Sequence, residues 1–386
     1  MKVALVHDYL SEFGGAERVL LALTEIYPKA PIYTAFMRKR SAAGERFKDR
    51  KVKTSWVQKV PGFSKLWYSP LRFLAPKIWN SFDFSKFDVV IGSSSWYVTK
   101  GFKGKGKAME VCYCHTPPRW LYGYRTSVEW QRYWPVRVYG QIIGHFMRQY
   151  DFRAAQRVDY FIANSKEVKK RISKFYRRDS KVIYPPVFVP IHSGSSHLAR
   201  NSRDDKLALK SLASLPNYYL TASRVVGGKG LELAVKAAVK MGFKLKVVGE
   251  SAGYGREMAR LKKLANEKVE FVGRVEDAEL ARLYAGAKAF LAMAEMEDFG
   301  ITPVEAMLAG TPVVAFAGGG YLESVVEGKT GVFFKEYSVK GLGKAIKRLE
   351  KIKIKSEDCK KQAKKFSKER FKREIKEFVE EKIRQA

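Results

Sequence analysis

The sequence has very few cysteines, only 3 in 386 residues. Three cysteines cannot build a disulfide framework, and free thiols fit a reducing compartment. Long apolar runs are lacking as well, since no stretch approaches the roughly 20 apolar residues that cross a bilayer. The apolar start of the chain is broken by His7 and Asp8, so it predicts a strand and not a signal peptide. The sequence therefore predicts a cytoplasmic protein, or one that lies peripherally on the inner face of a membrane.

Acidic residues are scarce relative to basic ones: 39 Asp and Glu stand against 73 Lys and Arg, for a formal net charge of +34. Solubility does not need so large a charge. It predicts an anionic partner, for which nucleic acid, an anionic membrane surface and a phosphorylated substrate are the candidates. With 46% hydrophobic residues the chain can bury large cores. This excludes a disordered or fibrous protein, and the length predicts two domains or one large one.

Short apolar runs alternate with helical patterns along most of the chain, which predicts parallel sheets with helices on both faces. In the first half the predicted strands are Lys2–Val6, Pro31–Tyr33, Asp88–Ile91, Ala108–Cys114, Tyr160–Ala163 and Val182–Tyr184. In the second half they are Tyr218–Ala222, Leu245–Val248, Val269–Val272, Ala289–Ala292, Pro312–Ala315 and Gly331–Phe334. The fold class is therefore α/β, with two doubly wound, Rossmann-like domains.

A polar, proline-containing stretch interrupts this alternation and predicts a domain boundary. The first domain is expected to span residues 1–190, a linker 191–210, and the second domain 211–365. Residues 366–386 predict an amphipathic helix whose apolar side begins with Phe366. Open α/β sheets bind ligands at the carboxyl ends of their strands, so the cleft between the two domains is the expected active site.

The strongest candidate for a functional motif is EDFGITPVEAM at residues 297–307, followed by GTPVV at residues 310–314. A chain that leaves a strand, turns at glycine and enters a helix directs free backbone N–H groups at a ligand. Glu297 precedes this turn and Glu305 lies within the helix. Two carboxylates placed in this way can hold the hydroxyls of one elongated polar ligand. The alternative is a buried structural glutamate beside a solvated one.

This string resembles the Glu-x-Phe-Gly-x-x-x-x-Glu motif of the retaining GT-B glycosyltransferases of family 4. Four further motifs, a glycine loop, a histidine loop, an arginine–lysine pair and a strand end, resemble that family in the same order. Their residues are Gly14, Gly15, His115, Arg224, Lys229, Val272 and Gly273. Five motifs in the family's order cover nearly the whole chain. The resemblance implies the GT-B fold, in which two such domains face a central cleft and the terminal helix crosses back to the first domain.

The resemblance also implies that the donor is a nucleotide sugar and that two of the motifs bind its diphosphate. Arg224 and Lys229 would neutralise the β-phosphate as it leaves. Gly14 and Gly15 lack side chains, so their amides can approach the diphosphate at a helix start, and a tight packing turn is the alternative for this pair. Val272–Gly273 would lie near the nucleotide base.

The sugar end of the donor is implied to meet two carboxylates and a histidine. Glu305 would bind the ribose hydroxyls. Glu297 would hold the donor sugar together with the backbone of Phe299, Gly300 and Ile301. His115 ends a strand at the edge of the expected cleft and would hydrogen-bond the donor sugar. A structural histidine with satisfied hydrogen bonds is the alternative for His115.

No metal and no cofactor other than the donor is expected. Two cations at the phosphates would replace a metal, and the acidic pair Asp204–Asp205 lacks the spacing of a metal motif. The run Cys112, Cys114, His115 lacks a fourth ligand at a sensible spacing. Strand alternation instead places the two cysteines on one face and Tyr113 with His115 on the other.

The resemblance implies hexose transfer with retention of configuration. The motifs supply no carboxylate nucleophile beneath the anomeric carbon, so a same-face reaction is expected, with the departing phosphate oxygen taking the acceptor's proton; a covalent intermediate is the alternative. The segments HDYLSEFGGAERVL and CYCHTP are most similar to mannosyltransferases of polysaccharide assembly. This similarity favours GDP-mannose as donor, with a UDP-hexose as the alternative.

Basic and aromatic residues interleave in two segments of the first domain, Met37–Asn80 and Arg119–Tyr150. This pattern suits an anionic membrane surface and a glycan or lipid-linked diphosphate acceptor. Nucleic acid is not expected, because no recognised nucleic-acid module is present. Two alternatives stay open: a lysine-rich compositional bias that accounts for the charge, and a basic protein that binds nucleic acid or polysaccharide without turnover.

Overall fold

A computed structural model describes residues 1–124, 134–188, 217–251 and 256–385. The predicted linker 191–210 lies outside these described residues. The chain divides into two compact units: unit 1 comprises Met1–Pro186 and Lys368–Ala386, and unit 2 comprises Val187–Ser367. Each unit has its own parallel sheet and its own hydrophobic core.

Unit 1 is built on a seven-stranded parallel sheet in the order β3-β2-β1-β4-β5-β6-β7. The strands are β1 (Val3–His7), β2 (Ile32–Thr34), β3 (Val52–Thr54), β4 (Val89–Ser94), β5 (Met109–Cys114), β6 (Tyr160–Ala163) and β7 (Lys181–Val182). Every residue of β1, β4 and β5 is buried, because helices cover both faces of a parallel sheet. The edge strand β3 is three half-buried residues with a central lysine, and no apolar run predicted it.

The helices of unit 1 follow the strands in alternation. They are α1 (Gly15–Ile26), α2 (Ala42–Arg46), α3 (Ala75–Trp79), α4 (Trp134–Arg157) and α5 (Lys166–Tyr176). Single helical turns lie at Trp56–Lys59, Phe63–Trp67, Pro70–Leu74, Lys103–Lys105 and Arg119–Leu121. Ser165 caps α5, since its hydroxyl accepts a hydrogen bond from the backbone amide of Val168 at 3.0 Å, as its residue type predicts.

Unit 2 is built on a six-stranded parallel sheet in the order β10-β9-β8-β11-β12-β13. The strands are β8 (Tyr218–Ala222), β9 (Lys244–Val248), β10 (Val269–Gly273), β11 (Ala289–Ala292), β12 (Val313–Phe316) and β13 (Gly331–Phe334). The helices are α6 (Leu231–Met241), α7 (Arg256–Leu264), α8 (Asp277–Ala285), α9 (Ile301–Leu308), α10 (Tyr321–Ser324), α11 (Val339–Lys351) and α12 (Ser356–Lys364). The two sheets confirm the predicted α/β class with two doubly wound domains.

The last helix, α13 (Lys368–Gln385), belongs to unit 1. It buries three side chains at four-residue spacing in the core that also contains the apolar face of α1: Phe371, Ile375 and Val379. Phe366, which the sequence places on this helix, instead precedes it and lies in unit 2. Its backbone oxygen accepts a hydrogen bond from the amide of Val187 at 2.8 Å, and its ring packs on Phe299. Phe366 lies in the turn that follows α12, where its amide donates to the backbone oxygen of Ala363 at 2.9 Å, and Ser367 bridges to Val187. The last helix therefore begins two residues later than the apolar pattern suggests.

In each sheet the direction of strand addition reverses once, between β1 and β4 in unit 1 and between β8 and β11 in unit 2. Loops that leave neighbouring strands at such a reversal run to opposite faces and open a crevice at the carboxyl edge, where α/β proteins bind ligands. None of the helices in the described ranges is both long and apolar enough to cross a membrane.

Candidate functional site

In unit 2, the loops that follow β8 and β11 carry most of the predicted donor residues. The β8 loop contains Arg224 and Lys229 and leads into α6, whereas the β11 loop contains Glu297 and leads into α9. Because β8 and β11 are the two strands at the reversal, the topology alone brings these loops together.

The side chains of Lys229 and Glu297 form an ion pair across this reversal. Lys229 Nζ donates to Glu297 Oε2 at 2.8 Å and lies 3.2 Å from Oε1. The Tyr321 hydroxyl lies 3.5 Å from Oε2, at the limit of a hydrogen bond. Burial, and next the charge of Glu297, raises the pKa of Tyr321 well above its ordinary value, so the phenol stays a proton donor. Lys229 is expected at the β-phosphate of the donor and Glu297 at its sugar, and the structure brings these two side chains into direct contact.

Two glycine segments hold the Glu297 loop in place. Gly300 ends the loop with φ +84°, and a methyl group added to it would lie 2.6 Å from Cε1 of Tyr321. The amide of Gly320 donates to the backbone oxygen of Glu297 at 3.0 Å. A methyl group on Gly319 or Gly320 would overlap the backbone of residues 297–299. The run Gly318–Gly320 after β12 is therefore part of the site, although the sequence analysis did not select it.

Glu305 lies on α9 and is far more buried than Glu297, with 2% of the residue exposed against 15% of the Glu297 side chain. Its Oε2 accepts a hydrogen bond from the Tyr284 hydroxyl at 2.9 Å. Thr311 Oγ1 in turn donates to the backbone oxygen of Tyr284 at 2.6 Å. Burial and an internal donor are the features of a structural glutamate, and the ribose contact of Glu305 stays a prediction.

The strand β10, at the edge of the sheet, carries Val272 and Gly273. Its register with β9 shifts between Phe271 and Gly273, so Val272 is the extra residue of a bulge. Gly273 has φ +80°. Strands are spaced about 4.8 Å apart, so the end of β10 lies about 10 Å from the end of β8. This edge can therefore accommodate an elongated ligand, with Val272–Gly273 remote from the Lys229–Glu297 pair.

In unit 1, the reversal edge carries a chain of hydrogen-bonded side chains. His7 ends β1 and is paired in register with Ser93 of β4, and His115 follows β5. His7 Nδ1 lies 3.0 Å from Ser93 Oγ, and Ser93 Oγ lies 2.8 Å from His115 Nε2. Ser93 is fully buried. The predicted site residue His115 is thus held by Ser93, which the sequence did not single out.

Glu17 of α1 lies at the end of this series of hydrogen-bonded side chains, next to His7. Burial alone would raise its pKa, but the hydrogen bond and charge of His7, with the Gly14 amide, hold the pKa of Glu17 below its ordinary value. An ionised Glu17 accepts from His7 Nε2 at 3.4 Å. Two further hydrogen bonds join His7 Nδ1 to Ser93 Oγ and Ser93 Oγ to His115 Nε2, and the tautomers of the two rings set which atom donates in each. We name Glu17, His7, Ser93 and His115 the histidine relay.

The glycine loop precedes α1 as predicted, but it already has an internal partner. The amide of Gly14, which is the N-cap residue of α1, donates to Glu17 Oε2 at 2.8 Å. Gly15 is the first residue of the helix and is exposed. A carboxylate therefore occupies part of the helix end that the sequence assigned to a diphosphate, and the diphosphate contact of Gly14 and Gly15 stays a prediction.

Two residues of the candidate site, His7 and Ser93, are of types that are not distinctive without the fold. Ser93 is one of three consecutive serines, and His7 was noted but not selected. The triple glycine at 318–320 was a visible signal, because glycines directly after a buried strand mark a close backbone approach. The predicted alternation of β5 is confirmed, since Cys112 and Cys114 lie in one core cluster and Tyr113 in another.

Two family models match the chain, one for each half. The model described as Glycosyltransferase Family 4 matches residues 13–189, and the model described as Glycosyl transferases group 1 matches residues 204–366. The two parallel sheets, one in each unit, are those of the GT-B fold. The two family models define the chain as a glycosyltransferase. Within that class, the chain belongs to glycosyltransferase family 4.

Individual relatives are distant or partial. Glycogen synthase of Thermus thermophilus is 37% identical over 125 residues, but the match covers only 31% of this chain and 29% of that protein. The α-1,3/1,6-mannosyltransferase ALG2 of Candida glabrata is 26% identical over 84% of this chain and 78% of its own length. The crystal structure of Anabaena Alr3699/HepE in complex with UDP and glucose has a TM-score of 0.72 at 19% identity, over 98% of this chain and 99% of that one. At that identity the likeness concerns the fold.

Proposed function

We propose that the protein transfers a hexose from a nucleotide sugar to an acceptor hydroxyl, with retention and without a metal. The observation that carries this proposal is the contact of Lys229 with Glu297 at the strand reversal of unit 2. A sugar nucleotide has an anionic diphosphate directly bonded to a hydroxyl-rich ring. A cation and a carboxylate 2.8 Å apart match the two sides of the bond that breaks.

In the proposed reaction, Lys229 and Arg224 neutralise the β-phosphate, and Glu297 accepts hydrogen bonds from the sugar hydroxyls. The bond between the anomeric carbon and the phosphate oxygen breaks, and the acceptor oxygen bonds to that carbon on the same face. The acceptor's proton passes to the departing phosphate oxygen. His115 hydrogen-bonds the sugar, and its relay partners Ser93 and His7 orient the ring.

We propose GDP-mannose as the donor, with a UDP-hexose as the alternative. The ALG2 relative, which is named a mannosyltransferase and is similar over most of both chains, supports mannose. The structural neighbour solved with UDP and glucose supports the alternative. Base and sugar are selected by pocket shape and backbone contacts, which differ among proteins with the same motifs.

We also propose that unit 1 binds a glycan or lipid-linked acceptor. It would do so in the cytoplasm, at an anionic membrane surface. Large apolar side chains of the two basic–aromatic segments are exposed on this unit, among them Trp56, Leu66, Trp67, Trp134 and Phe146. Exposed aromatic residues interleaved with cations suit a membrane interface. Residues 125–133 of the second segment lie outside the described residues.

A thermal stability screen against nucleotides and nucleotide sugars, without added metal, tests the donor proposal. A ligand at 100 times its dissociation constant adds about 2.7 kcal/mol to the free energy of unfolding. We expect one nucleoside diphosphate and its sugar to raise the melting temperature, which identifies the base. Stabilisation by single-stranded nucleic acid or polysaccharide, and by no nucleotide, would contradict the proposal and favour a binding protein without turnover.

Replacing Ser93 tests the histidine relay. We expect Ser93→Ala to lower kcat for donor turnover roughly 10- to 100-fold, because His115 loses the group that orients its ring. Two buried histidine nitrogens also lose a partner, which costs about 1–3 kcal/mol of stability. Nucleotide binding on unit 2 should not change.

Ser94→Ala is the matched control, since Ser94 is equally buried on the same strand but faces the opposite side of the sheet. It should leave turnover near wild type. Equal losses in Ser93→Ala and Ser94→Ala would mean that packing of β4 matters and that the relay does not.

A further inference from the structure

A cavity of about 290 Å³ in unit 1 lies apart from the histidine relay, between α3, the turn Lys103–Lys105 and the second half of α4. Its charged lining residues are all cationic: Lys103, Arg153 and Arg157. Asn80, Gln149 and Tyr150 add neutral polar groups. A concave site with three positive side chains and no acidic one fits a compact anion.

These three cations lack ion-pair partners in the described part of the chain, unlike their neighbours. Lys100 pairs with Asp151, and Lys105 pairs with Asp159. Arg157 Nε donates to the backbone oxygen of Gly101 at 2.9 Å, which fixes the guanidinium. Its Nη2, however, is buried and has no hydrogen-bond partner among the described residues. A buried guanidinium nitrogen without an acceptor is costly, and it belongs to a side chain that lines the cavity.

The rim of the cavity is apolar and exposed on one side. Phe146 lines the cavity and is itself 63% exposed. Further exposed side chains follow at four-residue spacing toward the start of α4: Ile142 at 55%, Val138 at 45% and Trp134 at 74%. These four residues, which we name the α4 stripe, extend about 18 Å along the helix. An exposed apolar stripe that leads into a cationic cavity is the arrangement of an interfacial lipid site.

We infer that this cavity binds the phosphate of an anionic phospholipid headgroup, while the α4 stripe enters the interfacial layer of the bilayer. The guanidinium groups of Arg153 and Arg157 can each hold phosphate oxygens through paired N–H groups. The stripe distinguishes a lipid from a soluble phosphate, because a soluble anion gives no reason to expose Ile142 and Phe146. This gives the proposed membrane docking of unit 1 a defined site.

Co-sedimentation of the full chain with vesicles tests the inference. The vesicles contain phosphatidylcholine alone or phosphatidylcholine mixed with phosphatidylglycerol. The test variant is Lys103→Gln/Arg153→Gln, because both side chains are exposed and neither is paired in the described structure. We expect about 30-fold weaker binding to the mixed vesicles, since each cation near such a surface contributes about fivefold. Phe146→Ser should weaken binding to mixed vesicles but keep the preference for anionic over neutral lipid.

The matched control is Lys240→Gln/Lys244→Gln, which removes the same charge from exposed positions of unit 2. Loss of binding in this control equal to that in Lys103→Gln/Arg153→Gln would mean that diffuse net charge binds the membrane, and would overturn the inference. Unchanged vesicle binding in the test variant would also overturn it. So would stabilisation of the wild type by inorganic phosphate that the test variant loses without any change in vesicle binding, because the cavity would then hold a soluble anion. Nucleotide stabilisation, measured on the same variants, reports the transferase proposal separately.

Discussion

Lys229→Ala is expected to abolish donor turnover, with a loss of at least 100-fold in kcat/KM. Removing one preorganised donor from a site where negative charge develops typically costs 10²- to 10³-fold. In this site Lys229 faces the expected β-phosphate and no other lysine pairs with Glu297 among the described residues. The measurement is release of nucleoside diphosphate from the nucleotide sugar that the stability screen selects.

Glu297→Ala is measured beside Lys229→Ala, because Lys229 is proposed to hold the phosphate of the donor and Glu297 its sugar. Lys229→Ala should also weaken stabilisation by the nucleoside diphosphate, whereas Glu297→Ala should keep it, because a nucleoside diphosphate has no sugar for Glu297 to hold. Lys236→Ala is the matched control: Lys236 is exposed and pairs with Glu232 along α6. Normal turnover in both Lys229→Ala and Glu297→Ala would contradict the assignment of these residues to the active site.

Gly300→Ala is expected to have the largest effect on stability. Alanine at φ +84° costs roughly 1–2 kcal/mol. The new methyl group would also lie 2.6 Å from the buried ring of Tyr321, and overpacking of this kind costs roughly 1–3 kcal/mol. Together these costs predict a loss of roughly 2–5 kcal/mol, or roughly 5–15 °C in the melting temperature of unit 2. Turnover should fall as well, because the loop that carries Glu297 must move.

The matched control for this variant is Gly242→Ala. Gly242 has a similar φ of +75°, but a methyl group there has no neighbour within 4 Å. It should therefore lose only the backbone cost. Thermal unfolding of both variants gives the comparison, and equal losses would show that Tyr321 does not constrain Gly300.

Much of the fold could be predicted from local patterns. The strands β1 and β5 lie within one residue of their predicted bounds, because an apolar run is a property of neighbouring residues. The strand β3 could not be found in this way. It has three half-buried residues, and pairing with β2 makes it a strand.

In the candidate site, too, only the residues that are contiguous in the sequence could be predicted. The string from Glu297 to Glu305 was recognisable because its residues are contiguous and its glycine and proline have positional meaning. The relay was not, since His7 and Ser93 are 86 residues apart and neither residue type is distinctive. The sequence alone does not distinguish the surroundings of Glu297 and Glu305. In the structure Glu305 is buried and accepts a hydrogen bond from Tyr284, whereas Glu297 forms an ion pair with Lys229.

By itself, the sequence determined that this chain forms two parallel α/β domains, that it is basic, and that it carries the motifs of a nucleotide-sugar enzyme. Only the tertiary structure decided which of those residues are in contact. Lys229 and Glu297 are 68 residues apart, and the strands β9, β10 and β11 with the helices α6 to α8 lie between their two loops in the chain. Such contacts depend on strand order and register, which arise from packing across the whole sheet and leave no local trace in the sequence.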